Sequence, residues 1–185
     1  MAKKFLIALL CFGLLLVVVS GSILLADSTD AAVAATQSTK ILQKLRLTHG
    51  STQTTQAPSA TWDPQYLGIL SIPALDLTLP VRQSWSYSQL KQTPCRQCGS
   101  IQGGDLVIAA HNYPSHFGGL SRLLPGTTLS ISTGDGAIHT YILSHVQQVA
   151  ANHRQAVLES KFDLVLYTCT PGGSRRVAAF WIRET

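Results

Sequence analysis

Phe162-Asp163-Leu164-Val165-Leu166-Tyr167-Thr168-Cys169-Thr170-Pro171-Gly172-Gly173-Ser174-Arg175-Arg176-Val177-Ala178-Ala179-Phe180-Trp181-Ile182 is the stretch that decides how the chain is read. Two apolar runs, Phe162 to Tyr167 and Val177 to Ile182, flank a loop from Thr170 to Ser174 built of Thr, Pro, Gly and Ser. Cys169 leaves the first strand and Arg175 and Arg176 open the second. A loop this short sets the strands side by side, so the cysteine and the arginine pair fall on neighbours. Side chains alternate along a strand, so one arginine of the pair can face Cys169 and the other cannot. Arg176 is the choice here, because the apolar run starts directly after it.

The rest of the region from residue 63 is also short and β-like. Leu67 to Ile72 is an apolar run closed by Pro73, and Leu75 to Val81 alternates with period two. Asp105-Leu106-Val107-Ile108-Ala109-Ala110 reads as a buried strand that delivers His111. Thr128 to Ser132 alternates, Gly134-Asp135-Gly136 turns the chain, and His139 to Val149 returns. Helical signals are confined to Ser86–Lys91 and Phe117–Leu124. Seven or eight short strands predict a mainly β domain, a closed barrel or a sandwich.

The N-terminus is of another kind. Phe5 to Ala26 is about 22 residues without a charge. As a helix it would span about 33 Å at about 1.5 Å per residue, enough for a bilayer core. Lys3 and Lys4 precede it, which keeps residues 1–4 in the cytoplasm and sends the bulk of the chain outside. The competing reading is a cleaved signal peptide, with Ala26-Asp27 as the cut, but its apolar region is usually about 7–15 residues. The expectation is an anchor over 5–26. Residues 27–62 are expected to form an extracellular spacer, with a helix over Ala31 to Leu47 and a polar linker over 48–61.

Charge excludes one class of partner. The formal net charge is +5. Residues 1–62 hold five basic residues against two acidic, and residues 63–185 hold nine against seven, so the domain itself carries only +2. It has no basic run or aromatic-interleaved basic stripe, which argues against nucleic acid. Four cysteines are too few for a disulfide scaffold. Cys95-Arg96-Gln97-Cys98 has the spacing of half a zinc site or a redox pair, without a second pair of ligands nearby, and its bland reading is a loop with two thiols or a local disulfide. Gly134-Asp135-Gly136 and Gly103-Gly104-Asp105 each offer one carboxylate, too few for calcium. Neither a metal nor an organic cofactor is expected.

A cysteine, a histidine and an arginine at strand ends are the parts needed for acyl transfer. A thiolate attacks a carbonyl, an imidazole protonates the departing amine, and a guanidinium supports the oxyanion. Each residue alone has a plainer reading: a cysteine in a strand is commonly a small core residue. His116 is a rival to His111, but a strand end is a more rigid platform than a loop.

The order and context of these residues resemble the sortase family over about two-thirds of the chain, from Tyr66 onward. Leu67-Gly68-Ile69-Leu70-Ser71-Ile72-Pro73 is similar to that family's first strand. Asp105 to Asn112 is similar to the strand that delivers its catalytic histidine, and Phe117 to Thr127 to the stretch after it. Leu164-Val165-Leu166-Tyr167-Thr168-Cys169 resembles its Thr-Leu-x-Thr-Cys signature, and Arg176-Val177-Ala178-Ala179-Phe180 the head of its last strand. Val165 stands where the family often has Thr, the loop from Cys169 to Arg176 is short, and two arginines are adjacent.

The resemblance implies a closed eight-stranded barrel with short helices, here preceded by an N-terminal transmembrane helix. It implies a cysteine transpeptidase with Cys169 as nucleophile, His111 as acid and Arg176 as oxyanion or substrate support. The expected partners are a Leu-Pro-x-Thr-Gly-like sorting signal and an amine on a cell-wall precursor or a pilin subunit. His111-Asn112 with Phe117-Gly118 is similar to one subclass and Thr-Cys-Thr-Pro to others, so the subclass stays open. Trp62-Asp63-Pro64 is similar to the lid of pilin-polymerising members, but it directly precedes the first strand and reads as the way into it. The other readings are a different wall-acting cysteine amidase or transpeptidase, and a membrane-tethered binding module with an inert Cys169. An L,D-transpeptidase would show a Ser-x-Gly-Cys neighbourhood, which the chain lacks.

Overall fold

The structure, a computed structural model, describes residues 2–49, 62–152 and 154–184. Eight strands come after a long helix, α1 (Ala2–His49): β1 (Tyr66–Ile72), β2 (Leu77–Arg82), β3 (Cys95–Cys98), β4 (Leu106–Ala109), β5 (Thr128–Thr133), β6 (Ile138–Ala150), β7 (Leu164–Cys169) and β8 (Arg175–Arg183). Two short helices, α2 (Tyr87–Leu90) and α3 (Arg154–Leu158), lie between them. The strands close in the order β1-β2-β3-β4-β7-β8-β6-β5. Closure is made by β1 pairing antiparallel with β5, which leaves the sheet without an edge.

The sequence patterns explain the packing. β1 alternates buried and half-buried residues along its length, as a strand with one face in a core does. Its inward side chains Leu70 and Ile72 join Trp181, Tyr141, Phe117, Leu129 and Ile131 inside the barrel. β4 is buried at all four positions. Leu106 and Ile108 point into the barrel, while Val107 joins Val165, Ala178, Phe180 and Val157 in a second cluster outside it. A strand covered on both faces reads as a continuous apolar run, and this one does.

Two strand expectations need revision. Leu75 to Val81 is not one strand: Pro73–Leu75 forms a 3-10 turn, Asp76 takes φ 51, and β2 starts at Leu77. Proline suits the first position of such a turn, and Asp tolerates the left-handed conformation better than most residues. Cys95–Cys98, read as a loop, is β3, paired antiparallel with β4 and joined to β2 at Arg82 and Cys95. Four residues carry too little periodicity to show this in sequence.

The helix expected over Ala31 to Leu47 is part of a longer one. α1 runs unbroken from Ala2 to His49 and docks on the domain near β2. Ala34, Ser38 and Leu45 are buried, at spacings of four and seven that put them on one helical face. Ile41 and Leu42 border that face. Of the polar linker expected over 48–61, residues 50–61 lie outside the described residues. Among the described residues, no helix is long and apolar enough to cross a membrane. Within the expected anchor, the side chains of residues 5–8 and 21–26 lie outside the described residues, and those of 9–20 are exposed.

Gly68 marks the closing seam. It pairs with Thr133 on β5, and a Cβ there would sit 2.6 Å from the Ser132 carbonyl oxygen. Gly68→Ala is expected to lower unfolding stability by about 2 kcal/mol, because the β1–β5 backbones must part. Denaturant unfolding reads this as a lower midpoint at constant slope; an unchanged midpoint would show that the seam yields without cost.

Candidate active site

Cys169 is the last residue of β7 and pairs in register with Arg176 of β8. Directly opposed residues of an antiparallel pair project from the same face, so Arg176 shares the face of Cys169 and Arg175 takes the other. Arg175 bonds the Gln148 carbonyl of β6 at 3.2 Å. The joining loop is tightly closed. Thr170 N–H donates to the Arg175 carbonyl at 3.0 Å, Arg175 N–H to Thr170 Oγ1 at 3.1 Å, and Gly173 N–H to the Thr170 carbonyl at 2.8 Å. Gly172 and Gly173 hold φ near +77° and +73°, a conformation that side chains other than hydrogen rarely adopt. The Arg176 guanidinium donates to the Gly173 and Arg175 carbonyls at 2.9 and 3.1 Å. It thus ties down the loop beside Cys169, and a guanidinium with five N–H donors retains others for a substrate.

His111 leaves β4, the parallel neighbour of β7. The parallel pairing brings both strands out at the same barrel end, and Ala110 N–H extends it by donating to the Tyr167 carbonyl at 3.2 Å. His111 and Cys169 therefore line one groove of about 290 Å³, with Asn112, Tyr113, Thr170, Pro171 and Gly172. The imidazole sits between two tyrosines. Tyr113 stacks on it at 5.0 Å and 22°, and Tyr87 of α2 meets it edge-on at 6.2 Å. His111 Nε2 is buried and has no hydrogen-bond partner among the described residues. Burial holds the His111 pKa below its ordinary value; the Lys91 cation adds to this, and the Asp30 carboxylate on α1 opposes it.

The other candidates separate from this groove. His116 is fully buried, and its Nε2 lies 3.3 Å from Ser38 Oγ of α1. No disulfide joins Cys95 and Cys98. Burial pushes the Cys95 thiol up to about 11, against the pull of the Ser86 backbone and the Arg82 charge, so it is a poor thiolate source. No group of three or more His, Cys, Asp or Glu suited to a metal occurs among the described residues. Trp62 bonds the Tyr66 carbonyl through Nε1 at 2.7 Å and lines a separate cavity with Tyr66 and Arg96, at the start of β1. Tyr87, Tyr113 and Asp30 were not legible as site residues in the sequence. Tyr113, two positions after His111, carried the only local signal.

Comparison with known proteins adds to this geometry. A family model described as the Sortase domain matches residues 70–180. Among solved structures, sortase C1 from Streptococcus suis is similar, with a TM-score of 0.58, 22% identity, and 65% of this chain and 74% of that chain covered. Sortase C from Clostridium perfringens SM101 gives a TM-score of 0.57 at 18% identity, covering 85% and 90%. Streptococcus pneumoniae sortase C gives 0.58 at 22%, covering 80% and 89%. At these identities the structural likeness is one of fold. Comparison with curated proteins found no match. With the domain match spanning most of the barrel, from β1 to β8, the chain belongs to the sortase family of cysteine transpeptidases.

Proposed function

We propose that this transpeptidase cuts a Leu-Pro-x-Thr-Gly-like sorting signal through a thioester at Cys169. It then passes the acyl group to an amine on a cell-wall precursor or a pilin subunit. The observation that carries this reading is the shared groove, lined by Cys169 and by His111, whose Nε2 has no partner among the described residues. The pilin acceptor draws support from the similar Streptococcus pneumoniae sortase C, whose structure is described in terms of pilin substrate specificity.

Each residue has its step. The Cys169 thiolate adds to the carbonyl carbon of the scissile bond, and the carbonyl π pair moves onto the oxygen. The Arg176 guanidinium stabilises that oxyanion with donors left over from its loop bonds. The carbonyl re-forms as the C–N bond breaks, and His111 gives its proton to the departing amine. An acceptor amine then attacks the thioester, loses its proton to His111 and releases the thiolate. Atoms and charge balance without another reactant.

Residues 5–26 serve in this reading as a single-pass anchor, with the N-terminus cytoplasmic and the barrel outside. Support comes from the uncharged sequence behind Lys3 and Lys4, and from the described stretch of α1, where Leu9, Leu10, Phe12 and Leu14 to Val19 are exposed on all sides of the helix.

Three outcomes are expected. Cys169→Ala abolishes thioester formation with a sorting peptide, read by mass spectrometry, while the thermal midpoint stays near that of the parent; a retained peptide-processing rate would overturn the mechanism. Arg176→Ala lowers kcat/KM by about 10²–10³-fold, as loss of an oxyanion donor does, and Arg175→Ala by much less. A larger loss at position 175 would reverse that assignment. In an NMR titration, Lys91→Gln raises the His111 midpoint, because a nearby cation disfavours imidazolium, and Asp30→Asn lowers it, because a carboxylate favours it. Unchanged midpoints would show that neither charge reaches the ring, and shifts of the opposite sign would overturn the assignment.

A further inference from the structure

Ser38 of α1 is 3% exposed and lies outside the stretch that the family model matches. Its hydroxyl donates to the Gln92 carbonyl at 2.8 Å, across 54 residues of sequence. That uses its one proton, so its oxygen can only accept from His116 Nε2, 3.3 Å away and 78 residues along the chain. The contact therefore selects the His116 tautomer with the proton on Nε2. His116 Nδ1 is then an acceptor, and it is buried with no partner among the described residues. Burial, with the charge of a protonated His111 beside it, holds the His116 pKa down to about 4 against the pull of the Gln92 carbonyl, so the ring stays neutral at ordinary pH.

The two segments that Ser38 joins are the two that wall His111. Gln92 comes just after α2, whose Tyr87 meets the His111 ring edge-on. His116 closes the turn after β4: its N–H donates to the Tyr113 carbonyl at 2.9 Å, and Phe117 N–H donates to the His111 carbonyl at 3.2 Å. Tyr113 lies between the two histidines, 5.0 Å from the ring of His111 and 5.5 Å from that of His116. A single hydroxyl on α1 thus fastens both walls of the imidazole.

We infer that Ser38 is a positioning residue for transpeptidation: by clasping Gln92 and His116 it holds the Tyr87 and Tyr113 walls that orient and dehydrate His111. The N-terminal helix is then part of the catalytic apparatus as well as a tether. This rests on His111 acting as the acid of the proposed reaction. The titratable groups around that ring are Asp30 from α1, Tyr87 of α2 and Lys91 after it, Tyr113 and His116 on the turn, and Cys169 from β7.

The test uses the full chain, steady-state turnover of a Leu-Pro-x-Thr-Gly peptide with an acceptor amine, and NMR of the histidine rings. Ser38→Ala is expected to lower kcat about tenfold with KM changed less than twofold. It should also raise the His111 midpoint toward the ordinary value, because looser walls admit water. Thr39→Ala, on the exposed side of the same helix, leaves both unchanged. In the parent chain the His116 nitrogen shifts report the proton on Nε2, a readout that depends on no variant; a proton on Nδ1 overturns the clasp. So does a folded Ser38→Ala with parental kcat and His111 midpoint. His111→Ala separates the two readings. If it keeps full turnover, the catalytic assignment falls, whereas an inactive His111→Ala beside a fully active Ser38→Ala removes only the clasp.

Discussion

The parallel pairing of β4 with β7 is the constraint on which the rest of the site depends. Leu106 pairs with Leu164 and Ala109 with Tyr167, so both strands run out of the barrel at the same end. The residues at the two strand exits must then emerge side by side: His111 just beyond β4 and Cys169 at the end of β7. An antiparallel pairing of the same two strands would send them to opposite ends. Parallel neighbours need a long crossover, and here the chain from Ala109 to Leu164 passes through β5, β6 and α3 before returning. That path is stable because both faces of the β4–β7–β8 sheet are covered, by the barrel core inside and by the Val107, Val165 and Phe180 cluster outside.

From this frame the chemistry is assembled by short-range devices. The β7–β8 register sets Arg176 opposite Cys169, and a loop closed by Thr170 and two left-handed glycines keeps that register. Burial around His111 holds its pKa below the ordinary value, with the Lys91 cation adding to this and the Asp30 carboxylate opposing it. An unpartnered buried nitrogen is costly to a fold and is retained where chemistry needs it. The surrounding tyrosines, and the helix that braces them, keep that nitrogen in place.

Several of these features are legible in the sequence alone. The alternating and continuous apolar runs located seven of the eight strands, because burial on one face or on two leaves a direct periodic trace. Cys169, His111 and the arginine pair stood out because each sits at the end or the head of such a run. β3 was missed because four residues with two polar members show no period. The 3-10 turn at Pro73–Leu75 was missed because Leu75 and Leu77 continue the strand-like alternation across it. Ser38 was hidden in a Ser-, Thr- and Ala-rich stretch that reads as a spacer, since one buried hydroxyl among many exposed ones has no signature.

By itself, the sequence determined the β class of the domain, the strand ends that carry thiol, imidazole and guanidinium, and the uncharged character of the N-terminal run. These are set by local properties: side-chain period, loop composition and absence of charge. Only the tertiary structure shows Arg176 directly opposite Cys169 with Arg175 on the other face, because that depends on cross-strand register. It alone shows His116 buried against Ser38 of α1 and His111 in the groove with Cys169, because those placements are set by elements far apart in sequence. It also showed that α1 docks on the domain, since a contact spanning 78 residues is a property of the packed chain and of no segment within it.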